Sequence, residues 1–482
     1  MRQDAGVNGD AQRIEQLVWM LFLKIFDDRE TELEMEANMS AGTYVSPIAE
    51  RLRWRNWAAD PEGITGDELL DFVDNLLFKT LKEIQATNDR EAVIRDVFED
   101  THNFMKNGTL IRRVVNKINE IDFNKSDDRH TLGDVYENIL KGLQSAGNAG
   151  EYYTPRAVTQ FMTEMVDPKL GERVLDPACG TGGFLACTID YVRNNYVTSA
   201  EHEAELQKSI FGVEKKPLPH VLCVTNMFLH GIDTPSQIRH DNLLERPYRD
   251  YSPKDRVDII LTNPPFGGRE EDGIEQNVPT KFQTKETADL FLFLIMHLLD
   301  QKKENARAAL VLPDGSLFGD GVKAKLKKKL LEEWNLHTII RLPNGVFAPY
   351  TGIKTNLLFF QNGQPTEEVW FYEHPYPPGY KSYSKTKPIR IEEFDAEKAW
   401  WNDRTESELA WKVPVQEIVD NNYNLDISNP NAPEDVFRDP DTLLAEYRAL
   451  DARVADTRAA LKKALADALS PAVAADKRGG DQ

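Results

Sequence analysis

Val174-Leu175-Asp176-Pro177-Ala178-Cys179-Gly180-Thr181-Gly182-Gly183-Phe184-Leu185 decides how this chain folds. A short apolar run ends in an acid, a glycine-rich turn follows, and a helical pattern then runs from Gly182 to Asn194. A parallel α/β sheet builds a ligand cradle in this way at the carboxyl end of its first strand, the glycines letting backbone approach the ligand. Two phosphate-binding loops fail the comparison. Leu185 stands where the dinucleotide fingerprint requires its third glycine, and no Gly-Lys-Ser/Thr follows. A diphosphate is therefore not the favoured guest.

Outward from this stretch, strands and helices alternate, the signature of a doubly wound parallel sheet. Strand two is Ile210 to Glu214, with a helix from Leu218 to His230; strand three lies near Ile238 to Asp241, and strand four is Val257 to Leu261. A helix from Ala288 to Leu299 leads to strand five, Ala308 to Leu312. A basic helix around Val322 to Trp334 precedes two strand-like runs, His337 to Leu342 and Lys354 to Phe360, which read as a closing hairpin. From Trp370 to Tyr383 aromatics alternate with prolines and glycine, which is loop chemistry.

Upstream, apolar residues Ile14, Leu17, Val18, Leu21 and Ile25 recur at helical spacing, and amphipathic helices are expected at Glu68 to Ile84 and Asp89 to Asn107. Downstream of Asn429-Pro430-Asn431-Ala432-Pro433, a linker-like break, Leu443, Tyr447, Leu450, Val454, Leu461 and Ala468 fall near a heptad line. Such a helix packs on its own core or on a partner.

The composition bounds the function. At 482 residues the chain suggests two or three domains. No run approaches a membrane span and no signal-peptide pattern opens the chain, so a cytoplasmic protein is expected. Cys179, Cys187 and Cys223 form no CxxC pair and read as small buried hydrophobes. HExxH and clustered His or Cys are both absent, so no protein-bound metal is predicted. The net charge of -21 opposes unaided binding of DNA, whose affinity normally rests on Lys and Arg neutralising phosphates. The most basic stretch, Lys323 to Lys329, reads as a solvated face, the alternative being a DNA-backbone or partner contact.

A second motif, Thr262-Asn263-Pro264-Pro265-Phe266, follows strand four. Between the helical region and the glycine loop lies Gly150-Glu151-Tyr152-Tyr153-Thr154-Pro155-Arg156, where Thr154 is expected to cap a helix beginning at Pro155, and a helix N-terminus attracts carboxylates. The glycine loop resembles the S-adenosylmethionine loop of methyltransferases, and Asn-Pro-Pro-Phe resembles the catalytic box of enzymes that methylate an exocyclic amine. With the Tyr-Tyr-Thr-Pro turn upstream, the chain is similar to the modification (HsdM) subunits of type I restriction-modification systems, which are DNA adenine N6-methyltransferases. The resemblance covers most of the chain and weakens over its last fifty or so residues. Asn-Pro-Pro-Phe alone also resembles boxes that methylate protein glutamine or ribosomal guanine, and a non-catalytic cofactor-binding scaffold is a further alternative.

The resemblance implies an α/β, Rossmann-like methyltransferase domain over residues 146-425, an N-terminal helical domain over 1-145, and a partner-binding helical tail over 426-482. It implies S-adenosylmethionine as cofactor. Asp176 and the backbone of Gly180, Thr181, Gly182 and Gly183 lie along its methionine moiety, Glu214 accepts both ribose hydroxyls, and Asp241 accepts from the adenine amine. Glu151, Tyr152, Tyr153, Thr154, Pro155 and Arg156 form the turn holding the methionine end. Asn263 and Pro264 take the two amine hydrogens of a flipped-out adenine, Pro265 stiffens the exit, and Phe266 stacks on the base. The implied partners are DNA, a specificity subunit (HsdS) and a restriction/translocase subunit (HsdR), with two modification subunits per specificity subunit.

Overall fold

Strands form where β-branched and aromatic residues run together, and the described residues place nine of them in one sheet. They are β1 (Val174–Asp176), β2 (Ile210–Glu214), β3 (Ile238–His240), β4 (Ile259–Thr262), β5 (Arg307–Pro313), β6 (Asn335–Arg341), β7 (Thr355–Gln361), β8 (Glu368–Glu373) and β9 (Ala410–Pro414). The computed structural model describes residues 1–40, 42–121, 136, 153–266, 268–431 and 440–469. The strand order is β3-β2-β1-β4-β5-β7-β6-β8-β9, parallel from β3 through β5, with β7 antiparallel to both its neighbours. The expected hairpin is present, and β7 is the member that inserts next to β5.

The helices that matter below are α1 (Gly9–Met39), α2 (Asp89–Glu99), α3 (Gly108–Ile118), α4 (Arg156–Val166), α5 (Gly183–Tyr196), α6 (Pro217–Leu229), α7 (Thr287–Leu298), α8 (Val322–Glu333) and α9 (Pro440–Leu469). The chain divides into two compact units, Met1–Pro430 and Asn431–Gln482.

Central strands read as unbroken apolar runs because both faces of the sheet are covered. In β4, Ile259 and Leu261 enter one core and Ile260 the other. In β5, Ala309 and Val311 face the side that also holds Val174, while Ala308, Leu310 and Leu312 face α7 residues such as Leu292 and Ile295. The first core is continuous with the N-terminal helices. Phe22 and Phe26 of α1 meet Phe228 of α6 at ring-centroid distances of 5.9 and 5.8 Å. Arg29 pairs with Asp233 at 2.8 Å, and Arg90, at the start of α2, pairs with the buried Glu30 at 2.6 Å.

Four expectations need correction. The stretch Trp370 to Tyr383 is loop only in its second part. Val369-Trp370-Phe371-Tyr372 forms β8, parallel to β6 with Thr338 opposite Trp370, because four residues of high strand preference precede the first proline at Pro375. Its outer partner β9 carried no recognised sequence signal. The helix expected from Asp89 to Asn107 stops at Glu99; Asn107 instead caps α3, accepting the Leu110 N–H at 3.0 Å. The basic helix α8 turns only part of its cluster outward, Lys325 and Lys328 being exposed. Lys327 is buried and donates to the Leu317 carbonyl at 2.7 Å, and Lys323 pairs with Glu286 at 2.6 Å. Burial lowers the Lys327 amine to about 8. Finally, Thr154 does not cap α4: Pro155 holds the N-cap position and the helix begins at Arg156 without a side-chain cap.

No helix among the described residues is long and apolar enough to cross a membrane.

Candidate active site

Parallel strands deliver their carboxyl ends to one edge, and the strand order reverses about β1 and β4 there, which is where open α/β sheets bind ligands. Asp176 ends β1, Glu214 ends β2, Asp241 follows β3, and Asn263 follows β4. These four side chains, brought from positions spread over 88 residues of sequence, line one cavity of 390 Å³. Thr154, Gly180, Thr181, Gly183 and Pro265 complete the part of the wall that sequence reasoning named.

The glycine loop has the geometry its composition requires. Gly180 and Gly182 sit at φ of 54° and 80°, the left-handed region that favours glycine. A Cβ on Gly182 would lie 2.8 Å from Cys223 Sγ, so the loop lies flush against α6. The loop is pinned by the Cys179 N–H donating to Val213 O at 2.9 Å and by Asn226 Nδ2 of α6 donating to Thr181 O at 3.0 Å. Cys179 and Cys223 thiols touch at 3.6 Å; this contact and burial hold the Cys179 thiol well above the usual range, so it stays neutral.

Two acids are buried side by side at the strand ends. Glu214 Oε2 accepts from the Gly180 N–H at 2.9 Å and Oε1 from the Lys216 N–H at 2.7 Å. Burial raises its pKa despite both bonds. Asp176 accepts from the Ala178 N–H at 3.2 Å, and burial, with the neighbouring Glu214 charge, raises it to about 7. Acids kept in this state at a cavity wall suit a ligand that brings its own cation or hydroxyl donors.

Also lining the cavity, Asn263 donates through Nδ2 to Thr154 Oγ1 at 3.0 Å. Asn263 Oδ1 is buried and has no hydrogen-bond partner among the described residues. An unpaired buried carbonyl is costly, and such exceptions are expected where a ligand supplies the missing donor.

Some named residues do not reach the cavity. Tyr153 and Pro155 are buried in the core beside it, and Gly182 lies behind the loop. Arg156 extends along α5, donating to Asp190 at 3.0 Å and to the Gly183 carbonyl at 3.4 Å. Pro264 is buried, and Phe266 is half-buried with its ring edge-to-face with Phe347, centroids 5.9 Å apart. Glu151 and Tyr152 fall outside the described residues.

Others were missed. Asn242 is buried beside Asp241, and Glu270 accepts from Lys215 Nζ at 3.2 Å, Thr287 Oγ1 at 3.3 Å and Asn242 Nδ2 at 3.4 Å. It ties the loop after Phe266 to β2 and α7. The acidic pair Glu270-Glu271, following Gly267-Gly268-Arg269, was the available signal, but loop residues carry no periodicity to place them. Among the described residues no cluster of His, Cys, Asp and Glu has the form of a metal site.

Known proteins are similar to this chain along most of its length. A family model for N-6 DNA methylase matches residues 127–439, and one for the HsdM N-terminal domain matches residues 1–118. The chain is 59% identical over 480 residues to the methylase subunit of the type I restriction enzyme EcoEI of Escherichia coli, covering 98% of this chain and 96% of that one. Among solved structures, a modification subunit of a putative type I restriction enzyme from Vibrio vulnificus YJ016 superposes with a TM-score of 0.81 at 46% identity, covering 91% of this chain and 96% of that one. A chain from a type I restriction-modification system, solved to explain complex assembly and conformational transition, gives a TM-score of 0.80 at 36% identity, covering 97% and 96%. Strand ends bearing Asp176, Glu214 and Asn263 around one cavity, with identity sustained along nearly the whole chain, mean that this protein belongs to the N-6 DNA methylase family, among the methylase subunits of type I restriction-modification enzymes.

Proposed function

We propose that this chain transfers a methyl group from S-adenosylmethionine to the N6 amine of adenine in DNA, working in a complex with a specificity subunit. The observation that carries the reading is the buried Asn263 Oδ1, without a hydrogen-bond partner among the described residues, beside a cavity that Asn263, Asp176 and Glu214 line together.

The residues present fit the cofactor. Glu214 is a carboxylate at the end of β2 with one lone pair on each oxygen left after its backbone bonds, suited to a ribose diol. Asp241 is exposed at the cavity mouth and suits an adenine amine. Asp176 with Gly180, Thr181 and Gly183 suits the methionine end, the acid facing an ammonium. When bound, the cofactor supplies a methyl on a positively charged sulfur.

The chain's own work is orientation. The adenine amine is a poor nucleophile because its lone pair is delocalised into the ring. Asn263 Oδ1 accepts one amine hydrogen and the carbonyl of Pro264, which stands between the lining residues Asn263 and Pro265, accepts the other as the base is seated, which draws the nitrogen toward tetrahedral geometry and aims its lone pair. Holding reactants in such alignment is worth about 7 to 11 kcal/mol in well-ordered systems. The base leaves the duplex to reach this position, and Phe266, steadied by Phe347, offers a ring face to it.

Partners follow from charge and from α9. With a net charge of -21 the chain needs a basic partner to hold DNA. Leu443, Tyr447, Leu450, Val454 and Leu461 of α9 are 42 to 67% exposed, an apolar line suited to a helical partner. A specificity subunit fills both roles, with two copies of this chain per specificity subunit and a restriction/translocase subunit completing the enzyme. Incubating the chain with its specificity subunit, radiolabelled S-adenosylmethionine and unmethylated DNA should label adenine. Label in cytosine or in protein overturns the reading.

A further inference from the structure

Thr154 was expected to cap a helix, and the structure gives its hydroxyl another partner. Thr154 Oγ1 accepts from Asn263 Nδ2 at 3.0 Å across 109 residues of sequence. The same amide's Oδ1 is buried and has no partner among the described residues. Both side chains line the cavity. Thr154 itself is half-buried, its backbone restricted by the following Pro155.

We propose that Thr154 is a positioning residue for methyl transfer: by taking an Nδ2 hydrogen it holds the Asn263 amide with Oδ1 toward the target amine and raises the negative charge on that oxygen. The inference rests on the function proposed above.

A hydroxyl both donates and accepts, so the contact alone fits either orientation of the amide. The substrate selects one. An amine entering the cavity has hydrogens to give, and of the two ends of the Asn263 amide only Oδ1 takes one. The Nδ2 end then needs acceptors, and Thr154 Oγ1 supplies one. Hydrogen bonds in such a chain reinforce one another: an amide that donates through nitrogen is a better acceptor through oxygen.

The timing of this effect separates it from cofactor binding. As the nitrogen–carbon bond forms, the carbon–sulfur bond breaks and its electron pair returns to sulfur. The amine nitrogen becomes cationic until one of its protons leaves to water. Its N–H bond to Oδ1 therefore strengthens in the transition state, and so does the contribution of Thr154. An interaction of that kind raises the rate of the chemical step and leaves ground-state binding unchanged.

The test compares Thr154→Val, which keeps shape and removes the acceptor, with Thr154→Ser, which keeps the acceptor, in the chain assembled with its specificity subunit. Loss of one hydrogen bond of ordinary net strength corresponds to about a ten-fold fall in rate. Thr154→Val should lower the single-turnover rate of adenine methylation by about that factor and Thr154→Ser should restore it to within about three-fold. Calorimetric S-adenosylmethionine affinity, and the emission of 2-aminopurine placed at the target position, should match the unaltered assembly. In an Asn263→Ala background the Thr154→Val effect should vanish. Three results overturn the proposal: a Thr154→Val single-turnover rate equal to that of the unaltered assembly, an equal loss in S-adenosylmethionine affinity, or an equal effect with and without Asn263. Failure of the unaltered assembly to methylate adenine overturns the proposed function together with this inference, so the two failures are distinguishable.

Discussion

Glu214 Oε2 accepts the Gly180 N–H at 2.9 Å, so the acid at the end of β2 also holds the turn that follows β1. One side chain thus shapes the cradle and lines it.

Glu214→Ala should therefore fail in two ways. The Gly180 and Lys216 N–H groups lose their acceptors, at a cost of about 1 to 3 kcal/mol for each group left unsatisfied. Calorimetric melting should show a lower Tm, and S-adenosylmethionine affinity should fall at least ten-fold. Glu214→Gln, which keeps one acceptor oxygen, should lie between Ala and the unaltered chain on both scales.

Asp176 gives a pH signature. Its carboxyl is raised from 3.8 to about 7 by burial, so the folded chain holds a proton that the unfolded chain has released across that interval. Stability without cofactor accordingly falls as pH rises from about 4 to about 7 through this group. A cationic ligand favours the ionised form, so S-adenosylmethionine affinity should rise with pH through 7. Isothermal titration between pH 6 and 8 checks the slope, and Asp176→Asn should flatten it.

Gly182→Ala meets two obstacles, a φ of 80° and a Cβ 2.8 Å from Cys223 Sγ. The backbone part alone costs about 1 to 2 kcal/mol. The variant should melt lower and bind cofactor more weakly. Adding Cys223→Ala should recover the steric share of the lost Tm and leave the backbone share.

Arg156 pairs with Asp190 on α5 with both side chains partly exposed. Arg156→Ala should change stability by no more than about 1 kcal/mol and leave S-adenosylmethionine affinity within two-fold. A ten-fold loss would show that Arg156 binds cofactor after all.

Leu450 and Val454 stand on the exposed line of α9. Replacing both by Asp should abolish co-purification with the specificity subunit while S-adenosylmethionine affinity of the isolated chain stays unchanged. Retained co-purification would place the partner elsewhere.

The sheet was legible because its strands obey two strong rules together: apolar runs of strand length, each punctuated by an acid, a glycine or a proline. β2 matched at both ends, and β1, β5, β6 and β7 within two residues. The three acids and Asn263, singled out by the family resemblance, fall at or just after those strand ends. What escaped depended on long-range pairing. β9 is an edge strand of five residues whose partners on β8 lie 38 residues earlier at Tyr372–Ala410 and 46 earlier at Glu368–Pro414; nothing local announces it. Thr154 looked like a cap because a hydroxyl before Pro-Arg fits that local role, and its actual partner lies beyond four strands. Lys327 looked solvated because a lysine run is usually so, and its carbonyl partner comes from the turn after β5. Glu270 lies in a segment with no period to read.

The stack of Phe22 and Phe26 on Phe228 has a consequence for dissection of the molecule. The same α6 that receives these rings begins three residues after Glu214 and presses Cys223 against the glycine turn. Clipping the first hundred or so residues would not uncap a working catalytic core; it would bare the back of the helix that braces the cradle, leaving a sticky remnant with a slack mouth.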